Sequence, residues 1–487
     1  MSTSVFDQRG LSVAGDLRAV MAEKVVTAGQ DAYAGVRQIW NGAVDHQPAV
    51  FALCETPEDV QAAVRIARQH DFPLSVRGGG HDWAGRALRH GGVVIDLTRM
   101  RQVDVDVSRR VATVAGGATA ADVSAAAVPH ELAAVTGNVG AVGMAGFLLA
   151  GGYGPLTTRF GLAIDNLLGA EVVLANGRRV WADASQNADL FWALRGGGGN
   201  FGVITSMRIR LHEVREILAG LILFPWSQAC EVLRGHAEIM ADAPDELSVL
   251  AGEFTGPDGS PVLFLGPIWT GERAAGEKHI NRLESLGKPM LSQVHPMSLA
   301  QLLGLFDAQV VNGRHYDLRT RWLADLTPDI IYAVAAAGAA RTSPLSMIAL
   351  HHFHGAGTRI ARDATAFGMR RNHFMMEIIA AWEPTSVVEA EVHRQWMSDL
   401  SATLAPHALP GGYANFLGPD CHDQIADAYG GNASRLREVK QKYDPDNVFS
   451  SAIPLPDLSL LNQNTNVLIL PRRRNLWVTA SVSEPSH

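Results

Sequence analysis

The spacing of apolar residues near the start of the chain predicts a strand, a helix and a second strand. A short apolar run at 48–53 is followed by apolar residues with helical spacing over 60–70 and by a second apolar run at 74–76. Thr56, which precedes a proline, is a typical helix start, because its side chain can cap the first free N–H groups of the helix. The pattern therefore predicts a βαβ unit.

Further along the chain, the apolar spacing changes and predicts two α+β units. In the first unit, a short helix is expected within 1–35, and the βαβ unit is followed by strands at 92–97, 110–115, 168–174, 179–181 and 203–211 and by helices at 119–127 and 189–194. From about Val214, strand-like runs alternate with helical stretches, the strands at 217–224, 262–269, 346–352 and 374–382 and the helices at 228–242, 271–285 and 386–402. This alternation predicts a second α+β domain, an antiparallel sheet with helices on one side.

Three glycine-rich stretches lie in the first unit. Arg77-Gly-Gly-Gly-His81 follows the 74–76 run directly, and two more clusters lie at 143–154 and 195–202. Consecutive glycines let the backbone approach a ligand closely, and their N–H groups can bind phosphate. Arg77 and His81 would add a fixed cation and a nucleophilic ring. A glycine-rich hairpin with a surface histidine is the simpler alternative for the first stretch alone, whereas three such loops predict a large cofactor with phosphates and a ring system.

The same stretches carry a family resemblance. Together with Phe160-Gly-Leu-Ala-Ile-Asp165 and Lys442-Tyr-Asp-Pro-Asp-Asn-Val-Phe449, they resemble the FAD-binding domain of the p-cresol methylhydroxylase/vanillyl-alcohol oxidase (PCMH/VAO) flavoproteins. The chain most resembles the berberine-bridge-enzyme-like branch, over roughly residues 40–456. The strict G-x-G-x-x-G spacing of a nicotinamide-binding Rossmann site is absent from the first loop, which disfavours that alternative.

The resemblance implies an α+β fold of the two-domain PCMH/VAO type. The FAD-binding domain is expected at 1–212, and the substrate domain, an antiparallel sheet covered by helices, at 213–409. Residues 410–456 are expected to return to the FAD domain. Residues 457–487 contain Arg472-Arg-Arg474 and are interpreted as a solvated tail of unknown role.

The resemblance also implies how FAD is held. His81 is expected to carry a covalent 8α-N1-histidyl bond to FAD. Val139 stands where many members have a second tether from cysteine, and because valine cannot form a thioether, one covalent bond is predicted. A small Val142 over the flavin is compatible with access of oxygen. The predicted cofactor-binding residues are Arg77, Gly78, Gly79, Gly80, His81, Asp82, Val139, Val142, Gly143, Gly146, Gly151, Gly152, Gly154, Asp165, Asn200, Gly202, Val203, Tyr443 and Asn447.

The candidate base is Glu377, the only charged residue of an apolar run from Phe374 to Trp382. Hydride transfer to a flavin needs a base that takes a proton, and the family often places a glutamine or glutamate five residues before this tryptophan. The alternative is that Glu377 pairs with an arginine on a solvent-facing side of its strand.

A second candidate region is Gly412-Tyr-Ala-Asn-Phe416, which resembles the family motif Tyr-x-Asn-Tyr. Phe416 replaces the second tyrosine, which excludes a tyrosinate base at that position. Tyr413 and Asn415 remain as candidate catalytic residues that contact substrate or flavin, and Phe416 is a pocket candidate.

Histidines at 351, 352 and 354 lie on a predicted strand. Alternation places His352 and His354 on one face, where we expect them to line the substrate pocket. Trp322 is a further pocket candidate, and Tyr316 and Arg321 are weaker ones. A metal site is the competing interpretation of the histidines, but no third ligand has suitable spacing, so no metal is predicted.

Composition narrows the class of protein. The chain has 487 residues, of which 47% are hydrophobic and 18% charged, and a net charge of −8, which argues against nucleic acid or an anionic membrane as partner. The three cysteines have no C-x-x-C spacing, so neither a disulfide framework nor a zinc site is predicted. The first 25 residues lack an apolar signal core, and a cytoplasmic location is expected.

The family resemblance, together with these residues, implies an FAD-dependent oxidase. It would take hydride from a C–H bond next to oxygen or nitrogen of a small organic substrate and pass electrons to O2, giving H2O2. Apolar residues near Glu377 favour an apolar or aromatic secondary metabolite over a carbohydrate. The alternatives are a dehydrogenase with another electron acceptor and a flavin-binding protein without catalysis.

Overall fold

The computed structural model describes residues 3–450, except 257, 308 and 309, and also residues 453 and 455. For residues 3–8 and 306 it describes the backbone and not the side chains. The predicted tail at 457–487, with its three arginines, lies outside the described residues.

The first βαβ unit forms as the apolar spacing predicts. The strands of the N-terminal region are β1 (Val25–Thr27), β2 (Val50–Leu53), β3 (Leu74–Arg77), β4 (Val93–Asp96), β5 (Val103–Asp106), β6 (Val111–Ala115), β7 (Leu132–Ala133), β8 (Leu167–Val173), β9 (Arg179–Asp183), β10 (Val203–Arg210) and β11 (His212–Glu213). Its α-helices are α1 (Thr3–Met21), α2 (Ala32–Arg37), α3 (Pro57–Gln69), α4 (Ala120–Ala127), α5 (Met144–Leu149), α6 (Thr157–Phe160) and α7 (Ala188–Leu194).

Capping defines the start of α3. The Asp59 N–H donates to Thr56 Oγ1 at 3.2 Å, and the Asp59 carboxylate accepts from the Thr56 N–H at 3.1 Å. Strands β2 and β3 both run parallel to β4, in a sheet of order β1-β2-β4-β3. The first glycine loop therefore leaves the carboxyl end of a parallel strand, the usual position of a ligand-binding loop.

A second sheet, of order β5-β6-β10-β8-β9, is antiparallel, and β7 pairs with β11. The 213–409 region then forms one antiparallel sheet of order β15-β12-β14-β13-β17-β18-β16. Its strands are β12 (Ile217–Pro225), β13 (Leu247–Thr255), β14 (Pro261–Trp269), β15 (Leu291–Met297), β16 (His315–Leu323), β17 (Met347–Phe353) and β18 (His373–Trp382). The α-helices are α8 (Ala229–Ala241), α9 (Arg273–Glu284), α10 (Leu299–Asp307), α11 (Pro328–Ala339) and α12 (Ala390–Leu404).

The apolar pattern missed several elements, and β16 shows why. Buried residues alternate along it with charged residues whose side chains are 13–18% exposed, so no continuous apolar run marks the strand. Arg319 contacts Asp317 at 3.3 Å and Arg321 contacts Asp423 at 3.2 Å. Arg319 also pairs with Asp420, so contacts with the C-terminal segment hold charged side chains on this strand. A search for continuous apolar runs misses such a strand, although alternation with a period of two is itself a strand signal.

The two faces of the seven-stranded sheet have different partners. Phe374, Met376 and Ile378 of β18 belong to a core shared with α8, α11 and α12. Met375 and Glu377 point the opposite way, toward the N-terminal region. The predicted antiparallel sheet with helices on one side is confirmed.

The C-terminal segment returns to the N-terminal region. It contains α13 (His422–Asp427) and α14 (Ala433–Tyr443). The side-chain amide of Asn200 donates to the carbonyl of Ile453 at 3.1 Å, and Lys442 pairs with Asp189 of α7 at 2.6 Å. Over the described ranges, no helix has both the length and the apolar character needed to cross a bilayer.

Candidate active site

A cavity of about 500 Å³ lies between the glycine loops and the seven-stranded sheet. One side, here called the loop wall, consists of residues 78–82, 137–139, 142, 143, 145, 146, 198, 199 and 202. The opposite side, the sheet wall, consists of cavity-facing side chains of β12, β13, β14, β16, β17 and β18. Residues of the C-terminal segment, including Tyr413 and Phe416, close the cavity between the two walls.

Glycine shapes the loop wall because two loops touch through their backbones. A Cβ on Gly79 would lie 2.5 Å from the nitrogen of Gly143, and a Cβ on Gly143 would lie 2.4 Å from the nitrogen of Gly79. Gly80 has a φ of +69°, which other residues rarely adopt. At Gly146 a Cβ would meet nothing within 4 Å, so α5 presents bare backbone to the cavity.

The first loop is suited to an anion. The backbone N–H groups of Gly79, Gly80, His81 and Asp82 donate no hydrogen bond to any residue that the structure describes. Successive free N–H groups at a strand end form a phosphate-binding arrangement. Together with the open space at Gly146, this loop fits the pyrophosphate and ring of FAD.

His81 lines the cavity and stacks on Trp40, with ring centroids 4.4 Å apart and an interplanar angle of 13°. Burial lowers the pKa of His81 to about 4, although the nearby Asp82 carboxylate acts in the opposite direction. The imidazole is therefore neutral near pH 7, which is the nucleophilic form. The sequence analysis did not identify Trp40, which no glycine motif marks.

Asp82 is paired rather than free. Its Oδ2 accepts from Nε of Arg86 at 2.8 Å, and Arg86 also donates to the carbonyl of Asn415 at 3.2 Å. Arg86 thus joins the first glycine loop to the C-terminal segment. Arg86 is not among the predicted site residues, although its position four residues after Asp82 is a usable signal.

Arg77, a predicted cofactor-binding residue, is paired with groups outside the cavity. Its guanidinium contacts the buried carboxylate of Asp96 at 3.5 Å and donates to the carbonyl of Val36. It lies behind the loop, outside the cavity wall, because a buried carboxylate on the adjacent strand needs a partner.

Asp165 holds the two domains together and does not line the cavity. Its two oxygens each accept from Arg370, at 2.8 Å. The Arg370 side chain is fully buried. This bidentate pair joins the N-terminal region to the segment before β18, so Asp165 is a structural residue.

The second glycine cluster lies only partly in the cavity wall. Gly151, Gly152 and Gly154 lie outside the wall of the large cavity. A Cβ on Gly154 would lie 1.7 Å from a carbonyl oxygen, and one on Gly152 would lie 2.4 Å from a neighbouring Cβ. Their close packing instead places Tyr153 in the cavity wall, where its hydroxyl lies 2.9 Å from His373 Nε2.

Four further predicted cofactor residues lie outside the cavity wall. Asn200 donates to the carbonyl of Ile453, and Val203 starts β10 with 1% of its surface exposed. Tyr443 donates to a carboxylate on α7 at 2.8 Å, and Asn447 forms a turn with a φ of +51°. These four residues do not line the cavity, and a motif match alone does not separate such residues from those that line it. The remaining predicted residues lie in the wall, namely Gly78, Gly79, Gly80, His81, Asp82, Val139, Val142, Gly143, Gly146 and Gly202.

Glu377 lies in the sheet wall beside His351. Glu377 Oε1 is 2.9 Å from His351 Nε2, and only 11% of the Glu377 side chain is exposed. The two residues are diagonal neighbours on β18 and β17, since Ala349 pairs with Glu377 and His351 with Met375. The alternative of an arginine partner on a solvent-facing side is therefore wrong.

Tyr413 is held as a neutral phenol. Its oxygen accepts from the Gly152 N–H at 3.2 Å and from the Asn415 amide at 3.1 Å. Burial raises the pKa of Tyr413 to about 12, so it keeps its proton at neutral pH. With both acceptor positions used, its O–H can donate to a group in the cavity.

His352 and His354 do not line the large cavity. Their rings stack at 4.6 Å, and His352 also stacks on Phe374 at 4.4 Å. Phe374 belongs to the helix-covered core, so these histidines share a face as predicted, but it is the opposite face. His351 occupies the cavity side because side chains of a strand alternate.

Some of the remaining pocket candidates line the cavity and others do not. Trp322 lies outside the cavity wall, packed edge-on against Phe367 and His373 at 6.3 Å and 5.8 Å. Tyr316 and Phe416 are in the wall. Within the described ranges, no three His, Cys, Asp or Glu side chains are grouped as metal binding requires.

The rest of the sheet wall is apolar. Around the Glu377–His351 pair it consists mainly of hydrocarbon, sulfur and aromatic side chains, namely Leu221, Leu250, Phe254, Phe264, Leu318, Met347, Met375 and Ile379. Such a surface favours a substrate with a large apolar portion.

Comparison with known protein families identifies two regions. Residues 48–183 match the FAD binding domain family, and residues 412–456 match the family described as berberine and berberine like.

Similar proteins cover nearly the whole chain. It is 30% identical over 435 residues to the FAD-linked oxidoreductase aurO of Gibberella zeae, covering 88% of this chain and 84% of that protein. It is 29% identical over 444 residues to (R)-6-hydroxynicotine oxidase of Paenarthrobacter nicotinovorans, covering 88% and 95%. The crystal structure of 6-hydroxy-D-nicotine oxidase from Arthrobacter nicotinovorans superposes with a TM-score of 0.81 at 28% identity, covering 89% and 98%.

Proposed function

Since the chain belongs to the berberine-bridge-like family of FAD-linked oxidoreductases, we propose that it is an oxidase acting on a small apolar or aromatic substrate. The observation that carries this proposal is that a single cavity contains two reactive groups on opposite walls. The Glu377–His351 pair lies on the sheet wall, and His81 lies on the loop wall beside a loop with free backbone N–H groups. FAD, when bound, accepts a hydride from a C–H bond next to oxygen or nitrogen and passes the electrons to O2.

Glu377 acts as the base in this proposal. It takes the proton from the O–H or N–H beside the reacting carbon, and the contact of its Oε1 with His351 Nε2 at 2.9 Å orients the carboxylate. The neutral Tyr413 donates a hydrogen bond into the same cavity and so orients the bound molecule. Phe416 supplies an apolar surface in place of a second tyrosine.

A single covalent bond from His81 is proposed to hold FAD. The neutral imidazole in the cavity wall supports this role. Glucooligosaccharide oxidase is described as carrying 6-S-cysteinyl, 8α-N1-histidyl FAD, and Val139 here offers no sulfur for the first of these bonds. The small Val142 in the loop wall leaves room for O2.

The apolar sheet wall supports an apolar or aromatic substrate over a carbohydrate. A carbohydrate site needs polar partners for many hydroxyl groups, because an unpaired buried polar group is costly. Among the relatives, (R)-6-hydroxynicotine oxidase is named for an aromatic substrate and glucooligosaccharide oxidase for a carbohydrate. The wall residues around Glu377 favour the former class.

Anaerobic mixing of the purified holoprotein with two substrate panels tests the proposal. One panel contains aromatic amines and benzylic alcohols, and the other contains oligosaccharides. We expect members of the first panel to bleach the flavin, and admission of air to restore its colour with release of H2O2. Bleaching that air does not reverse would indicate a dehydrogenase. If neither panel bleaches the flavin, the assignment as an oxidase of such substrates fails.

A further inference from the structure

Three aromatic rings join the two domains at His81. Trp40 stacks on His81 at 4.4 Å and on Tyr316 of β16 at 4.0 Å, with interplanar angles of 13° and 23°. Trp40 is thus the shared member of a near-parallel stack that runs from the loop wall to the substrate domain. All three rings line the cavity.

The backbone around Trp40 is clamped. Its N–H donates to the carbonyl of Gly80 at 3.1 Å, directly before His81, and its carbonyl accepts from the Gly313 N–H at 2.9 Å. The neighbouring Asn41 is 3% exposed, and its amide donates to the carbonyls of Trp83 at 2.6 Å and Tyr316 at 2.8 Å. The indole therefore has little freedom relative to the histidine loop.

Such a stack controls the histidine ring in two ways. A face held against an indole limits rotation of the imidazole, so its in-plane lone pair has one direction. The indole also covers one ring face and excludes water from it. Both effects matter to a nucleophile, because reaction requires close and aligned atoms.

We propose that Trp40 is a positioning residue for covalent attachment of the flavin, and that Tyr316 supports it from the substrate domain. This inference rests on the proposed histidyl bond. In that step, a bond forms between a ring nitrogen of His81 and the 8α carbon of the flavin, and one C–H bond of that methyl group breaks. The methyl proton and the imidazole N–H proton leave to solvent, and the two electrons that remain on the flavin go to O2.

The test compares four full-length variants by the ratio of covalent to total flavin. Trp40→Leu removes the stack, Trp40→Phe retains an aromatic face, Tyr316→Leu removes the support, and Tyr316→Phe keeps the supporting ring. Purified proteins are incubated with added FAD, and acid precipitation at intervals separates covalent from released flavin. Circular dichroism and the affinity for non-covalent FAD are measured in parallel.

We expect Trp40→Leu to bind FAD but to form the covalent bond at least about tenfold more slowly than the wild type. Trp40→Phe should recover most of the rate, Tyr316→Leu should show a smaller loss, and Tyr316→Phe should match the wild type. If Trp40 had a purely structural role, its substitution would lower the affinity for FAD, and the leucine and phenylalanine variants would form the covalent bond at similar rates.

The inference is overturned if Trp40→Leu attaches flavin within about twofold of the wild-type rate. If that variant does not fold, Tyr316→Leu decides in the same way, because it leaves Trp40 in place. A wild type whose flavin is fully released by acid removes both the histidyl bond and this inference. Oxidase activity measured on the same sample shows whether the rest of the proposed function stands.

Discussion

The two walls of the cavity are built from different parts of the chain. The loop wall is mostly backbone, and its shape depends on glycines such as Gly79 and Gly143 that bring two loops into contact. The sheet wall is made of side chains, and its chemistry depends on which face of each strand carries Glu377 and His351. A backbone wall therefore tolerates few substitutions, whereas a side-chain wall can change its substrate without changing the fold.

The largest effect is expected in the sheet wall at the proposed base. Glu377→Gln should lower the rate of anaerobic flavin reduction by about 10²–10⁴, the usual contribution of a general base. FAD content and the covalent fraction should not change, because residue 377 lies on the wall opposite the cofactor loops. Stopped-flow absorbance measures the rate. A loss below about tenfold would show that another group takes the proton.

In the loop wall, two alanine substitutions should differ in their effect on the free energy of unfolding. Gly79→Ala places a methyl group 2.5 Å from the nitrogen of Gly143, so it should abolish FAD binding and lower the free energy of unfolding. The expected loss is about 1–3 kcal/mol, as for overpacking in other cores. Gly146→Ala is the matched control, since its methyl group meets no protein atom within 4 Å.

Gly146→Ala should therefore keep the full free energy of unfolding and still weaken FAD binding, because the methyl group enters the cavity. Urea unfolding and FAD titration of both variants measure the difference. Equal affinity for FAD in Gly146→Ala and wild type would mean that α5 does not border the cofactor.

Substitution of two neighbouring histidines, His351 and His352, allows the two faces of the sheet to be compared. His351→Leu removes the 2.9 Å contact between His351 Nε2 and Glu377 Oε1 and should lower the rate of flavin reduction by about tenfold, which corresponds to about 1.4 kcal/mol. His352→Leu lies on the helix-covered face and should leave the rate within about twofold. Comparable losses in both variants would mean that the loss comes from disturbance of the strand.

The smallest effect at neutral pH is expected behind the sheet wall. His236 is fully buried, and burial lowers its pKa from 6.5 to about 4. Above pH 6.5, both folded and unfolded chains hold a neutral imidazole. As the pH falls below that value, the unfolded chain binds a proton that the folded chain does not bind, so the free energy of unfolding decreases by about 1.4 kcal/mol per pH unit.

His236→Leu should remove this share of the pH dependence, and urea unfolding at about pH 7 and about pH 5 measures it. His407→Leu, at an exposed position, is the control and should keep the wild-type slope. If the slope is the same in both variants, burial of His236 does not contribute to acid sensitivity.

Much of the loop wall was predictable, because short-range rules govern it. Glycine runs after a strand, and a histidine next to them, mark a ligand loop by composition alone. The predicted residues that lie outside the cavity wall include Arg77, Asp165 and Asn200, whose partners are Asp96, Arg370 and the carbonyl of Ile453. Those partners lie far away in the sequence or on another strand, so local patterns contain no information about them.

The sequence alone determined the βαβ unit and the glycine loops, because each depends on local spacing. Its resemblance to a family, carried by short motifs, also identified His81 and Glu377 as candidate reactive residues. Only the tertiary structure decided that His351 and not His352 faces Glu377, since alternation defines two faces of a strand but not which one is covered by helices. It also decided that Trp40 contacts His81, because this stack joins residues from separate loops. Both contacts, His351 with Glu377 and Trp40 with His81, depend on packing between distant segments, which no local pattern records.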